Sequence, residues 1–383
     1  MASPTMLEVA KRANVALSTV SYALNGTRPV SEETRSRIWK AMDDLGYQPH
    51  ALARGLASKR SRIIALLFPA LPRGIGATEL EFVTGAAEAA QSHGYHLVLW
   101  PTEIHAVSDL QQLIRQSLVD GVLVMEVRLN DERIELLRQI GVPFGMIGRQ
   151  STASDMSFVD IDFEQTTRDA VTHLIELGHR QIAFLNHSEE SFNAGYGASV
   201  RAAAGFVQAT TASGLTPITR FCDDTVLAGQ KVFDELLTAH PTITALATMN
   251  ERATVGVMQA AAARGWKIPD DLSIVSLVSS PRVSEMTLPP LTAMTPPSAE
   301  LGSLGVEMLI GQLERGDHQV VQRLLPCSLA VRGSTGRSPD PSTRPVHPST
   351  SDLRNLEAKS LDRSTRLSPL AGRPSENSRT SRR

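Results

Sequence analysis

The residues of this chain that could do chemistry are few and scattered. Gly74-Ile75-Gly76 has the opening of a loop whose backbone amides approach a pyrophosphate, but the third glycine and the following acidic residue are missing, so a flexible loop is the better reading. His93 and His96, like the two cysteines Cys222 and Cys327, have no companions at zinc-ligand spacing and read as surface or packing residues. Neither a nucleophile elbow nor a pair of facing carboxylates can be picked out. The sequence therefore offers no catalytic residue, no metal site and no cofactor motif, and the expected activity is binding.

What is bound is indicated by charge. The net charge of −2 conceals a basic head of +5 over residues 1–62, an acidic body of −12 over 63–336 and a basic tail of +5 over 337–383. A basic head on an acidic body points to nucleic acid meeting the head. The chain has 383 residues, enough for more than one domain, and its two cysteines exclude a disulfide framework. No apolar run reaches the length of a membrane span, and charged residues come too early for a secretory signal, so a cytoplasmic location without membrane partners is expected.

The elements that must position a nucleic-acid-binding surface begin at Thr5. Thr5 stands three residues ahead of Glu8, before apolar Leu7 and Val9, which predicts a capping box and a short helix to about Ala13. Asn14 tolerates the left-handed conformation of a tight turn, and residues 19–24 predict a second helix closed by Asn25-Gly26. Ser31 predicts the cap of a third helix that carries Ile38, Met42 and Leu45 on one face and ends at Gly46. Two short helices about a tight turn, supported by a third, make a helix-turn-helix.

The segment AKRANVALSTVSYALNGTRPVSEETRSRIWKAMDDLGYQPHALARGLAS closely resembles the DNA-binding head and hinge of the lactose-repressor (LacI/GalR) family, with a match running from Thr5 to Ser58. The resemblance implies that the second helix enters the major groove, placing Leu17, Ser18 and Tyr22 at base edges and Thr5, Thr19, Ser21 and Asn25 near phosphates. Val9, Val20 and Leu24 are instead assigned to the core by their apolar spacing. His50 to Ser58 is similar to the family's hinge, which becomes helical on operator DNA. His50, Ala53 and Leu56 are its implied DNA contacts, Leu56 as a minor-groove wedge. Gly55 within so short a helix costs about 1 kcal/mol relative to Ala, so the hinge is expected to order only on dimer plus DNA. A plain linker beside Lys59, Arg60 and Arg62 is the simpler alternative.

Two departures from the family pattern stand out. Ala16 replaces a common capping Ser and removes a hydroxyl that could satisfy an orphan amide. Tyr22 stands where many relatives have Arg, which replaces bidentate guanine reading by hydroxyl or thymine-methyl contact.

Beyond the hinge, strand-like runs at 63–68, 95–99, 121–125 and 142–147 alternate with helical stretches, and the rhythm restarts at 182–185, 243–247 and 272–277. The fold class expected is α/β: an all-α helix-turn-helix head and hinge helix, then a bilobed, periplasmic-binding-protein-like effector domain of two doubly wound parallel sheets. The expected boundaries are 1–49 for the head, 50–62 for the hinge and linker, 63–336 for the effector and dimerisation domain, and 337–383 for a disordered basic tail.

The resemblance also implies a ligand cleft between the lobes, here matched only in part. Asn250 fits the family's Asn-Asp dipeptide, written Asn250-Glu251, either as a ligand-holding amide or as a helix cap. Arg201 lies one residue before the family's ligand-binding Arg, and one residue of slip rotates a helical side chain by ~100°, which would aim it elsewhere. The Asp that grips sugar hydroxyls falls at Val278 or Ser279, and the Gln region reads Thr295-Pro296-Pro297. Arg149, Arg201, Asp224, Asn250 and Ser279 remain the effector-binding candidates.

The function expected is that of a sequence-specific transcriptional regulator, a repressor. Its expected partners are double-stranded operator DNA, a small-molecule effector such as a sugar or related metabolite, and a second copy of itself in a homodimer or higher oligomer. A solute-binding protein for transport shares the bilobed fold, but the intact head and absent signal oppose it. An enzyme on the same scaffold is the remaining alternative, since fold alone does not decide function.

Overall fold

The computed structural model describes residues 4–25, 28–47, 60–69, 75–102, 118–152, 155–316 and 319–340. The hinge candidates His50, Ala53 and Leu56, Gly74 and the tail from residue 341 lie outside the described residues.

The head is three helices around a small core. Helix α1 (Met6–Ala13) starts at a complete capping box: Glu8 N donates to Thr5 Oγ1 at 3.4 Å, and Thr5 N donates back to Glu8 Oε2 at 2.6 Å. Asn14 ends it in the left-handed region, and α2 (Leu17–Asn25) follows. Helix α3 (Glu32–Leu45) is capped by Ser31 and closed by Gly46 at φ 62°. Val9, Ala13, Val20 and Ile38 are buried together, with Leu24, Met42 and Leu45 packed against them. These side chains fix the angle of α2 and leave its other face to solvent.

The body consists of two lobes, each with a six-stranded sheet. The first lobe contains β1 (Ile63–Pro69), α4 (Ala77–Ser92), β2 (His96–Thr102), β3 (Gly121–Met125), α5 (Glu132–Ile140), β4 (Phe144–Ile147) and β5 (Phe158–Ile161). The second contains α6 (Phe163–Glu176), β6 (Ile182–Asn186), α7 (Glu189–Asn193), α8 (Gly197–Ala212), β7 (Ile218–Phe221), α9 (Val226–Ala239), β8 (Ala245–Thr248), α10 (Glu251–Ala263), β9 (Ser273–Ser276), α11 (Pro281–Ser284) and β10 (Thr292–Thr295). Helix α12 (Ser298–Arg315) then returns to pack on α4 of the first lobe. Strand β11 (Gln322–Leu325) joins the first sheet and β12 (Ser328–Ala330) the second.

The strand orders are β11-β5-β4-β3-β1-β2 and β12-β10-β9-β8-β6-β7, parallel throughout except for β12 against β10. Parallel strands covered on both faces explain the near-continuous apolar runs at 63–68, 121–125 and 182–185. Strands β5, β7, β10, β11 and β12 were not among the expected runs. Each has four residues or fewer, and exposed or charged positions such as those of Gln322–Leu325 break the apolar signal.

The chain passes between lobes three times, at 161–163, 295–298 and 325–328, so the lobes share a three-segment hinge beneath one cleft. The described chain continues past Gly336, where Ser338 N donates to Leu177 O at 2.9 Å. His179 holds this last segment, its Nε2 donating to Gly336 O at 3.1 Å and its Nδ1 lying 2.9 Å from Thr244 Oγ1.

Candidate functional site

The head presents a polar helix face fixed from behind. On α2, Leu17 and Ser18 are exposed and Thr19, Ser21 and Tyr22 are half-buried, while Val20 points into the core. The Tyr22 ring lies 5.1 Å from the Arg28 guanidinium. Asn25 is the last residue of α2. Thr5 is engaged in the capping box of α1. Thr19 N donates to Ala16 O at 2.9 Å, so the helix begins on a backbone bond at the position that lacks a side-chain oxygen.

Between the lobes lies a cavity of about 1000 Å³, counting the part open to solvent. Apolar Phe82, Met125, Phe163, Met249 and Val278 share its lining with Glu79, Glu126, Arg149, Asp160, Arg201, Asp224, Asn250, Glu251 and Arg252. Apolar walls with a few fixed polar groups are the ordinary construction of a small-molecule site. Four of the five candidates from the sequence, Arg149, Arg201, Asp224 and Asn250, are brought together in this lining. The fifth, Ser279, is fully buried behind it and donates its hydroxyl to Glu251 Oε1 at 2.6 Å.

Arg201 corrects the aim implied by the one-residue slip. It leaves α8 toward the cavity, and its Nη2 donates to the carbonyls of Arg149 at 3.0 Å and Gln150 at 3.3 Å. Its Nη1 lies 4.0 Å from Asp160 Oδ2, an ion pair that spans the two lobes. Arg149 approaches the same oxygen at 3.8 Å and bonds Glu164 at 3.0 Å. Gly148 makes the turn before Arg149 with φ 118°, against the Val127 side chain, a conformation suited to glycine.

Burial pushes the Asp160 carboxyl up to about 7, against the lowering effect of the Arg201 and Arg149 charges. Burial likewise lowers the Arg201 guanidinium from its ordinary range, with the Arg149 charge adding to the effect. Glu251 is raised by burial, partly offset by hydrogen bonds from Ser279 and Thr78.

Asn250 caps α10: its Oδ1 accepts from Ala253 N at 3.1 Å, and its Nδ2 donates to Cys222 O at 3.3 Å. Thr78, Glu126, Asp160 and Glu251 were not among the site candidates read from the sequence. Asp160 had a signal, a carboxylate inside the buried strand Phe158–Ile161. Glu126 takes a left-handed φ of 51°, which a non-glycine residue signals only in the structure. Gly76 of the partial glycine motif is the N-cap of α4, and Glu79 folds back so closely that a Cβ there would strike its carboxylate. His93 and His96 are exposed, and Cys222 and Cys327 are buried free thiols. Among the described residues no group of three or more His, Cys, Asp or Glu could hold a metal ion, and no helix is long and apolar enough to cross a membrane.

Residues 5–50 match the family of bacterial regulatory proteins, lacI family, and residues 171–335 match the periplasmic binding protein-like domain. The chain is 30% identical over 339 residues to catabolite control protein A of Priestia megaterium, covering 86% of this chain and 99% of that protein. The chain belongs to the LacI family. LacI-family members are DNA-binding regulators rather than enzymes, and the head and two-lobed body have that architecture. The LacI fold extends to solved structures. One shows the lac repressor dimer bound to operator and the anti-inducer ONPF, with a TM-score of 0.75 and 26% identity over 88% of this chain and 100% of that one. Another is the transcriptional regulator CelR–cellobiose complex, with a TM-score of 0.66 and 27% identity over 86% and 99% of the two chains.

Proposed function

We propose that this LacI-family regulator is a repressor that binds a pseudo-palindromic operator as a homodimer and is controlled by a small-molecule effector, a sugar or related metabolite, held between its lobes. The observation that carries this reading is the pairing of a solvent-facing α2, with Leu17 and Ser18 exposed over a fixed core, with a cavity lined from both lobes. Leu17, Ser18 and Tyr22 read base edges, while Thr5, Thr19, Ser21 and Asn25 sit near phosphates. His50, Ala53 and Leu56 supply the hinge contacts. Residues 1–49, 50–62 and 63–336 act as head, hinge and effector domain, and 337–383 as a tail without a fixed role.

The homodimer is supported by exposed apolar side chains near α4. Leu80 lies on α4, Val98 and Leu99 on the adjoining β2, and Met286 and Leu288 just beyond α11, which packs on α4. The effector acts by favouring one angle between lobes linked by three hinge segments, which alters the spacing of two hinges and their ability to fold on DNA.

The test is selection of bound sequences from random duplex DNA by the full-length protein, repeated with Leu56→Ala and at two salt concentrations. A symmetric motif weakened by the substitution is expected. Uniform, purely salt-sensitive binding would overturn operator reading.

A further inference from the structure

We propose that the cavity ligand carries a protonated amine, whose N–H donors are received by Asp160 on the first lobe and Glu251 on the second. This inference rests on reading the cavity as the effector site and specifies the chemistry of its occupant.

Asp160, only 5% exposed, lines the cavity, and its buried Oδ2 accepts no hydrogen bond among the described residues. The nearest cations, Arg149 Nε at 3.8 Å and Arg201 Nη1 at 4.0 Å, stand beyond hydrogen-bond range, and both arginines spend other donors on Glu164 and on main-chain carbonyls. A buried carboxylate oxygen without a donor is costly, and a ligand N–H removes that cost.

Glu251 places a second carboxylate on the opposite wall, its Oε1 held by the hydroxyls of Thr78 and Ser279. The acidic and basic lining is weighted the same way, with Glu79, Glu126, Asp160, Asp224 and Glu251 against Arg149, Arg201, Arg252 and the titratable His187. The sugar-gripping Asp of the family resemblance falls at Val278 or Ser279; of the two only apolar Val278 lines the cavity, while the Ser279 hydroxyl is spent on Glu251 Oε1.

Titration gives a second signature. The groups acting on Asp160 are Arg201 from α8, Arg149 from the turn after β4 and Glu164 from α6; with burial they hold its carboxyl near 7. A cation beside it favours the ionised form, so amine binding at neutral pH releases a proton. A neutral sugar brings only a hydroxyl hydrogen bond and no charge, so it releases less of a proton.

The experiment is calorimetric titration of the full-length protein at pH 7.0 with putrescine against 1,4-butanediol, and with glucosamine against glucose, in two buffers of different ionisation enthalpy. One amine is expected to bind at least tenfold tighter than its hydroxyl counterpart, with proton release, and which pair shows the preference separates a polyamine from an amino sugar. Asp160→Asn should cut the preference at least tenfold, and Glu251→Gln provides a second reading if the first variant unfolds. Equal or tighter binding of a neutral counterpart, or no amine binding at millimolar concentration, overturns the inference. A neutral sugar that binds and alters operator affinity would do so while leaving the repressor reading intact, whereas failure to select any DNA motif strikes that reading alone.

Discussion

Thr78 and Glu251 join the two lobes at the cavity, the Thr78 hydroxyl donating to Glu251 Oε1 at 2.8 Å. Thr78 stands in the first turn of α4, and Glu251 opens α10. The same Thr78 oxygen accepts from Ser280 N at 2.9 Å, so one hydroxyl serves as donor and acceptor across the cleft. Together with the Arg201–Asp160 pair it ties both lobes around the cavity. Thr78→Val keeps the shape but leaves the buried Ser280 amide unpaired, which should cost roughly 1–3 kcal/mol. Solution scattering is expected to give the variant a larger radius of gyration without ligand; an unchanged radius and unchanged stability would show that this bond does not hold the lobes.

The head was legible because its signals are local. The Thr5–Glu8 box, Asn14 and the Ser31–Gly46 bounds each act within a few residues, and the structure forms them as the sequence indicates. Parallel core strands such as Ile63–Pro69 were legible from apolar runs. The cavity was legible only in part. Arg149, Arg201, Asp224 and Asn250 converge from separate elements, but the Thr78–Glu251 link joins residues 173 apart in the chain, and no local pattern encodes it. Arg201 shows the limit of arguing from helical rotation, because its long side chain reaches two carbonyls and a carboxylate despite the slip.

Asp160 should impress a pH dependence on stability. Its carboxyl lies near 7 in the folded protein, above the ordinary value of 3.8. A raised acid is protonated in the folded state where the unfolded chain has already lost its proton, so its stabilising contribution is full below about 4 and is lost as pH rises toward 7. Asp160→Asn cannot titrate. The melting temperature of the unsubstituted protein should therefore fall relative to that of Asp160→Asn between pH 4 and 7, as read by scanning calorimetry across that range. Parallel curves would show that the folded carboxyl is not raised.

Two glycine pairs let helices cross at backbone contact. Gly85 of α4 meets the Ala299 backbone while Gly302 of α12 meets the Phe82 carbonyl; Gly229 of α9 and Gly256 of α10 repeat the arrangement against Ala253 and Val226. A Cβ at any of the four would overlap main-chain atoms that cannot rotate away. Gly302→Ala should destabilise by about 1–3 kcal/mol through overpacking, despite the higher helix propensity of alanine. Chemical denaturation checks the sign: a gain in stability would mean that the helices separate without penalty.

Tyr22 allows the most direct test of how the head reads DNA. It lies on α2 between core-facing Val20 and Leu24, its ring is half-buried, and Arg28 stacks 5.1 Å from it. A phenol offers one hydroxyl and an apolar face, whereas a guanidinium can donate two parallel bonds to guanine O6 and N7. Tyr22→Arg should therefore shift the selected motif toward guanine at one position in each half-site, with discrimination of about 1–3 kcal/mol, and steepen the salt dependence by the added charge. Selection on the variant in parallel with the unsubstituted protein reads both effects. A motif unchanged at every position, with tighter but uniform binding, would place residue 22 over phosphate and leave base reading to Leu17 and Ser18.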